Sequence, residues 1–150
     1  MYPSGPDRAM SNPQLDPQDL IAKAEAALAA LSDQFGPWLQ GELTKLEAAR
    51  AALDPDPLDV QALDALHHRA QDLKGLGTTC QFASITRLAA SLCRLVAAHT
   101  PGQPPRLDLI DAHIAAIKTV LAENLGNADQ DPARTMIVAL EQAVEGLGVP

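Results

Sequence analysis

The stretch Phe82-Ala-Ser-Ile-Thr-Arg-Leu-Ala-Ala-Ser-Leu-Cys-Arg-Leu-Val96 decides the fold class. It places Phe82, Ile85, Leu88, Ala89, Leu92, Leu95 and Val96 at spacings of three and four residues. Sustained over about four turns, that spacing gathers the large apolar side chains on one side of an α-helix. A strand sends successive side chains to opposite faces and would scatter them. No stretch of the chain alternates with period two, so the expectation extends to the whole molecule: all-α.

Working towards the N-terminus, Leu63, Leu66, Ala70 and Leu73 form the core stripe of a preceding helix. Gly75-Leu-Gly-Thr-Thr79 loosens or ends that helix, and Asp54-Pro-Asp-Pro57 separates it from what comes before. Asp54 and Asp56 flank prolines, where capping and solvation are the ordinary uses of a carboxylate. Helical periodicity opens after Pro17, with Asp16 as the capping residue. There Leu20, Ala24, Ala27, Leu28 and Leu31 are expected to form a buried stripe. Gly36-Pro37 is expected to stop this first helix and start a second, since glycine suits a C-terminal cap and proline a first turn. The second helix faces inward through Leu39, Leu43, Leu46, Ala49 and Leu53, with Trp38 as an apolar staple at its start. Towards the C-terminus, Thr100-Pro-Gly-Gln-Pro-Pro105 is a loop. A further helix spans roughly Leu107 to Leu125 through Ile110, Ile114, Ile117 and Leu121. After Gly126, Asp131-Pro132 caps a last helix reaching about Leu147. Residues 1–16, with Pro3, Pro6 and Pro13, are expected to be a disordered tail. That leaves 17–150 as a single domain of antiparallel helices joined by short turns.

Composition excludes several function classes. The chain of 150 residues is 47% apolar but only 3% aromatic, and its net charge is -8. Nucleic acid draws its affinity largely from cations that neutralise phosphates, so this acidic chain is not expected to bind it. An anionic membrane surface is disfavoured on the same ground. No apolar run has the length of a signal peptide core or a membrane span, and a cytoplasmic protein is the expectation. Cys80 and Cys93 have neither CxxC nor Cys/His metal spacing and read as reduced, partly buried small hydrophobes. There is no GxSxG, no glycine-rich phosphate loop and no HExxH, so neither enzyme, cofactor nor metal is expected.

The stretch Ala70-Gln-Asp-Leu-Lys-Gly-Leu-Gly-Thr-Thr-Cys-Gln-Phe82, with Thr86-Arg-Leu-Ala-Ala-Ser-Leu-Cys-Arg-Leu95, resembles the signature of histidine-containing phosphotransfer (HPt) domains. In that signature A-H-x-L-K-G precedes a small, glycine-containing run. Leu31-Ser-Asp-Gln-Phe-Gly-Pro-Trp-Leu39 and Asp111-Ala-His-Ile-Ala-Ala-Ile117 look like the flanks found in stand-alone HPt proteins, chiefly alphaproteobacterial. The likeness covers about residues 18 to 147. It implies an antiparallel four-helix bundle with additional N- and C-terminal helices. It also implies a partner, the receiver domain of a response regulator or hybrid histidine kinase, that exchanges a phosphoryl group with an exposed histidine. Carried over by position, the lysine that supports the phosphate is Lys74, and the glycine that admits the receiver is Gly75. The histidine position is Gln71. A second departure is Cys80-Gln-Phe82, where relatives have an aromatic-Gly-aromatic run.

Gln71 decides the chemistry. A neutral imidazole offers a nucleophilic lone pair at physiological pH, whereas the nitrogen lone pair of an amide is delocalised. Glutamine keeps hydrogen-bonding capacity and bulk but cannot accept a phosphoryl group. The leading expectation is therefore a binding module without phosphoacceptor chemistry, whose surface comprises Gln71, Lys74, Gly75, His67, His68 and Arg87. Helical phase sets His67 beside Gln71 and Lys74, but roughly 10 Å along the axis from Lys74 at 1.5 Å per residue. His68 is displaced by about 60° from Gln71. An active phosphotransfer protein using His67 or His68 is the second reading, and a structural helical interaction module the third. His113 reads as a packed structural histidine, and His99 as a cation at a helix C-terminus. Both a monomer and a dimer are compatible with the sequence.

Overall fold

The computed structural model describes residues 16–147, so the expected tail lies outside the described residues apart from Asp16. Among these residues the chain is all-helical, with five helices and no strand. They are α1 (Pro17–Ala51), α2 (Val60–Thr79), α3 (Ala83–Ala97), α4 (Leu107–Ala122) and α5 (Ala133–Glu145). The chain divides into two units between Phe35 and Gly36.

Residues 17–35, the first unit's share of α1, begin as expected: the Asp16 carboxylate accepts the Gln18 N–H at 3.0 Å. The expected buried stripe is a correction. Leu20, Ile21, Leu28 and Leu31 are exposed, from 45% to 65%. One helical segment cannot bury its own apolar face, whatever its periodicity. The break expected at Gly36-Pro37 is a second correction, since Pro37 stands inside the helix. Proline's fixed φ is itself helical, so its cost is one lost hydrogen bond and local crowding. Alanine- and leucine-rich sequence on both sides carries the helix through. Trp38 accordingly sits within a helix, 43% exposed, and not at a helix start.

The second unit is built around α3. Nine of its fifteen residues are buried, including Ser84 and Ser91, and it packs against α2, α4 and α5. The second half of α1 buries Leu39, Leu43 and Leu46. It runs antiparallel to α4, tied to it by Arg50–Asp111 (2.6 and 3.1 Å) and Glu47–Lys118 (3.1 Å). Ser84 anchors the start of α3 to the chain leaving α4. Its hydroxyl donates to the Leu125 carbonyl at 2.6 Å, and its N–H donates to the Gly126 carbonyl at 3.2 Å. Ser91 and His113 join the middles of α3 and α4. A carbonyl can only accept, so His113 Nδ1 donates to the Leu109 carbonyl at 2.7 Å. The Nε2 of the neutral ring then accepts the Ser91 hydroxyl at 2.9 Å. His113 is fully buried, as the sequence led us to expect, and burial holds its pKa below the ordinary histidine value.

The other expected boundaries shift by a few residues. Gly75-Leu-Gly-Thr-Thr79 ends α2 as expected, its residues forming the last turn before the cap at Cys80. The helix closes where the Phe82 N–H reaches the Gly77 carbonyl (2.8 Å) and the Gln81 N–H the Thr78 carbonyl (3.1 Å). This is a Schellman closure with Gln81 at its left-handed position, φ 57°. Asn124, φ 55°, closes α4 in the same way.

Candidate functional site

The candidate site lies on the outer face of α2. Asp59 caps this helix by accepting the Gln61 N–H at 2.9 Å. Leu63, Leu66, Ala70, Leu73 and Gly77 turn inward. That phase brings Val60, Asp64, His67, Gln71, Lys74 and Thr78 onto one outward row, each three or four residues from the next. Gln71 and Lys74 are exposed one turn apart on it. Neighbours at this spacing hold their Cβ atoms about 5–6 Å apart, so the Gln71 amide and the Lys74 ammonium can converge on one group.

The two glycines of the motif differ physically. A Cβ on Gly75 would meet nothing within 4 Å, so this position presents open, uncrowded backbone beside Gln71. A Cβ on Gly77 would lie 2.7 Å from Thr86 Oγ1 and 3.1 Å from the Thr86 nitrogen. At Gly77, therefore, α2 and α3 lie too close for a Cβ without movement of Thr86. Lys74 is close enough to Cys93 on α3 for its charge to pull that thiol's pKa down, although burial is the larger cause and leaves it raised. Burial likewise raises Cys80. Both thiols are free and buried.

The remaining predicted residues divide. His67 is half-buried and lines a shallow groove with Val60, Leu63, Asp64, Val96 and Ala97. His68 is exposed, and its Nδ1 donates to the Asp64 carbonyl of its own helix at 3.0 Å. The two rings stand nearly perpendicular, with centroids 6.4 Å apart. Arg87 is not brought to the row. Its guanidinium grips both oxygens of Glu141 on α5, Nε at 3.1 Å from Oε2, and the bond raises its pKa. The nearby carboxylates are also engaged, Asp64 with His68 (3.7 Å) and Asp72 with Arg69 (3.6 Å). The expectation named His67, Gln71 and Lys74 of the row and missed Val60, Asp64 and Thr78, which the same periodicity would have supplied. Glu141 carried no signal, because its partner lies 54 residues away.

No cluster of three or more His, Cys, Asp or Glu side chains suited to a metal occurs among the described residues. No helix among them is long and apolar enough to cross a membrane. Comparison with family models, with curated proteins and with solved structures gave no match for this chain.

Proposed function

We propose that this chain is a pseudo-HPt module: it binds receiver or kinase domains of a phosphorelay and carries no phosphate itself. The second half of α1 with α2, α3 and α4 would be the four-helix bundle of HPt type. Residues 17–35 and α5 would be the additional N- and C-terminal elements. The observation that carries this reading is the exposed row on α2, where Gln71 lies one turn before Lys74 and beside the open backbone of Gly75. A receiver docks by close approach of backbone and a few polar contacts, and this face offers both while lacking a nucleophile. Its effect on a relay would be competition for a surface, with a strength set by affinity and concentration.

The test is calorimetric titration of the full chain with receiver domains from the same organism. Lys74→Glu and Gly75→Trp are expected to weaken binding at least ~10-fold, the scale of one lost charged contact or one blocked approach. Circular dichroism should show the helices unchanged, because both positions are exposed. Binding that is indifferent to both substitutions would place the interface elsewhere and remove this reading.

A further inference from the structure

We infer that residues 17–35 are a self-association surface, whose exposed apolar stripe pairs antiparallel with the same stripe of a second copy of this chain. The inference stands apart from the docking reading, since it uses none of the residues on α2.

Leu20, Ala24, Ala27 and Leu31 follow one another at intervals of four, three and four residues. At about 100° per residue they fall within about 60° of one another, a narrow seam along the helix. All four are exposed, Leu20 by 48% and Leu31 by 45%. Ile21 and Leu28 lie along one edge of that seam and are more exposed, 57% and 65%. Large apolar side chains gathered on one helical face gain free energy when another surface takes them out of water.

The surface that fits this seam is the seam itself. Read backwards, the order Leu-Ala-Ala-Leu and its spacing are unchanged. A two-fold axis between residues 25 and 26 therefore sets Leu20 against Leu31 of the second copy, and Ala24 against its Ala27. That is the isologous contact of a symmetric dimer. The small alanines at the centre let the two helices approach closely, and the leucines fill the ends. Ile21 meets Leu28 of the second copy along the edge, so the whole stripe is covered.

Charge agrees with this occupant. Asp19, Glu25 and Asp33 lie more than about 100° from the middle of the seam, so no carboxylate faces another across it. Lys23 is the one cation of residues 17–35 against these three carboxylates. That balance has the wrong sign for an anionic lipid surface, which amphipathic helices meet through Lys and Arg. The paired length is about 28 Å at 1.5 Å per residue. Such a contact sits near the lower end of specific interfaces, about 1,000–1,200 Å² in total, and calls for a reversible dimer.

Sedimentation equilibrium of the full chain between ~1 and ~200 µM is the test, with a monomer–dimer dissociation constant of about 1–100 µM expected. Leu28→Glu and Leu31→Glu each enter the contact twice by symmetry and are expected to weaken the dimer at least ~10-fold. Both positions are exposed, so circular dichroism should be unchanged. Direction is read by disulfide cross-linking. Leu20→Cys chains mixed with Leu31→Cys chains should link to each other, and neither should link to its own kind. The native Cys80 and Cys93 are buried and stay out of this reaction. A chain that stays monomeric throughout would overturn the inference and leave the face to another protein or to lipid. A dimer indifferent to both glutamates, or cysteines that link like to like, would overturn it too. Receiver binding through α2 is measured separately and survives any of these results.

Discussion

At the scale of single residues, the chain separates what was visible in the sequence from what was not by the range of the interaction. Gln71 is a local fact: in the HPt-like pattern that the sequence resembles it stands at the histidine position, and that is legible without coordinates. His113 was also legible, since its phase with Ile110, Ile114 and Ile117 puts it on the buried side of α4. Its bond to Ser91, 22 residues earlier, was not. That bond has a consequence for stability. Burial depresses the folded pKa of His113 below the ordinary histidine value of about 6.5. Below that pH the unfolded chain binds a proton that the folded chain refuses, so acidification favours unfolding. Stability present at pH 7.5 is therefore expected to fall as pH drops through about 6.5, by at most ~1.4 kcal/mol per pH unit. Urea unfolding at pH 7.5 and 5.5 measures it, and the double variant Ser91→Ala/His113→Leu should show a smaller fall. Equal falls in the two proteins would mean that His113 does not carry the effect. Gln81 illustrates the opposite case, a residue whose role appears only in the fold. The run it interrupts has glycine in the HPt-like pattern, and the structure gives that position a left-handed backbone, the conformation glycine adopts at least cost.

At the scale of elements, apolar periodicity found every helix, but it divided α1 in two and expected a buried stripe where the residues are exposed. Gly36-Pro37 is a strong local breaker through which the helix continues, whereas Gly75-Leu-Gly77 lies in the last turns of α2 before it ends at Thr79. Propensity is a weak prior of up to ~3 kcal/mol for proline and ~1 for glycine, and neighbouring sequence or tertiary packing overrides it. For Gly77 the packing is explicit, because the missing Cβ is what lets α2 lie against Thr86 of α3. The two glycines of this turn should therefore respond oppositely to alanine. Gly75→Ala puts a methyl group into open space on an exposed helical position and is expected to stabilise by about 0.5–1 kcal/mol. Gly77→Ala forces Thr86 to move and is expected to destabilise by ~1–3 kcal/mol, the usual range for overpacking. Chemical denaturation of the two variants decides between this account and one in which both glycines merely mark a helix end, which predicts the same sign for both. The stripe on residues 17–35 teaches a second lesson. Amphipathic spacing says which face a helix would bury, but not whether anything covers it.

At the scale of the whole molecule, the second unit is a scaffold that holds one helix face outward while α3 is enclosed by its neighbours. The ion pairs Arg50–Asp111, Glu47–Lys118 and Arg87–Glu141 draw charge from the flanks into contacts between helices. Gln71 and Lys74 are left presented to solvent on α2. The proposed role then depends on a single chemical difference, an amide where an imidazole would complete the motif. The measurement that tests it most directly is phosphotransfer from ³²P-labelled receiver domains to the wild-type chain and to Gln71→His, with binding followed in parallel. The account predicts that the wild type binds but never acquires label, while Gln71→His becomes labelled. Label on the wild-type chain would contradict it, and replacement of His67 and His68 in turn would then locate the acceptor.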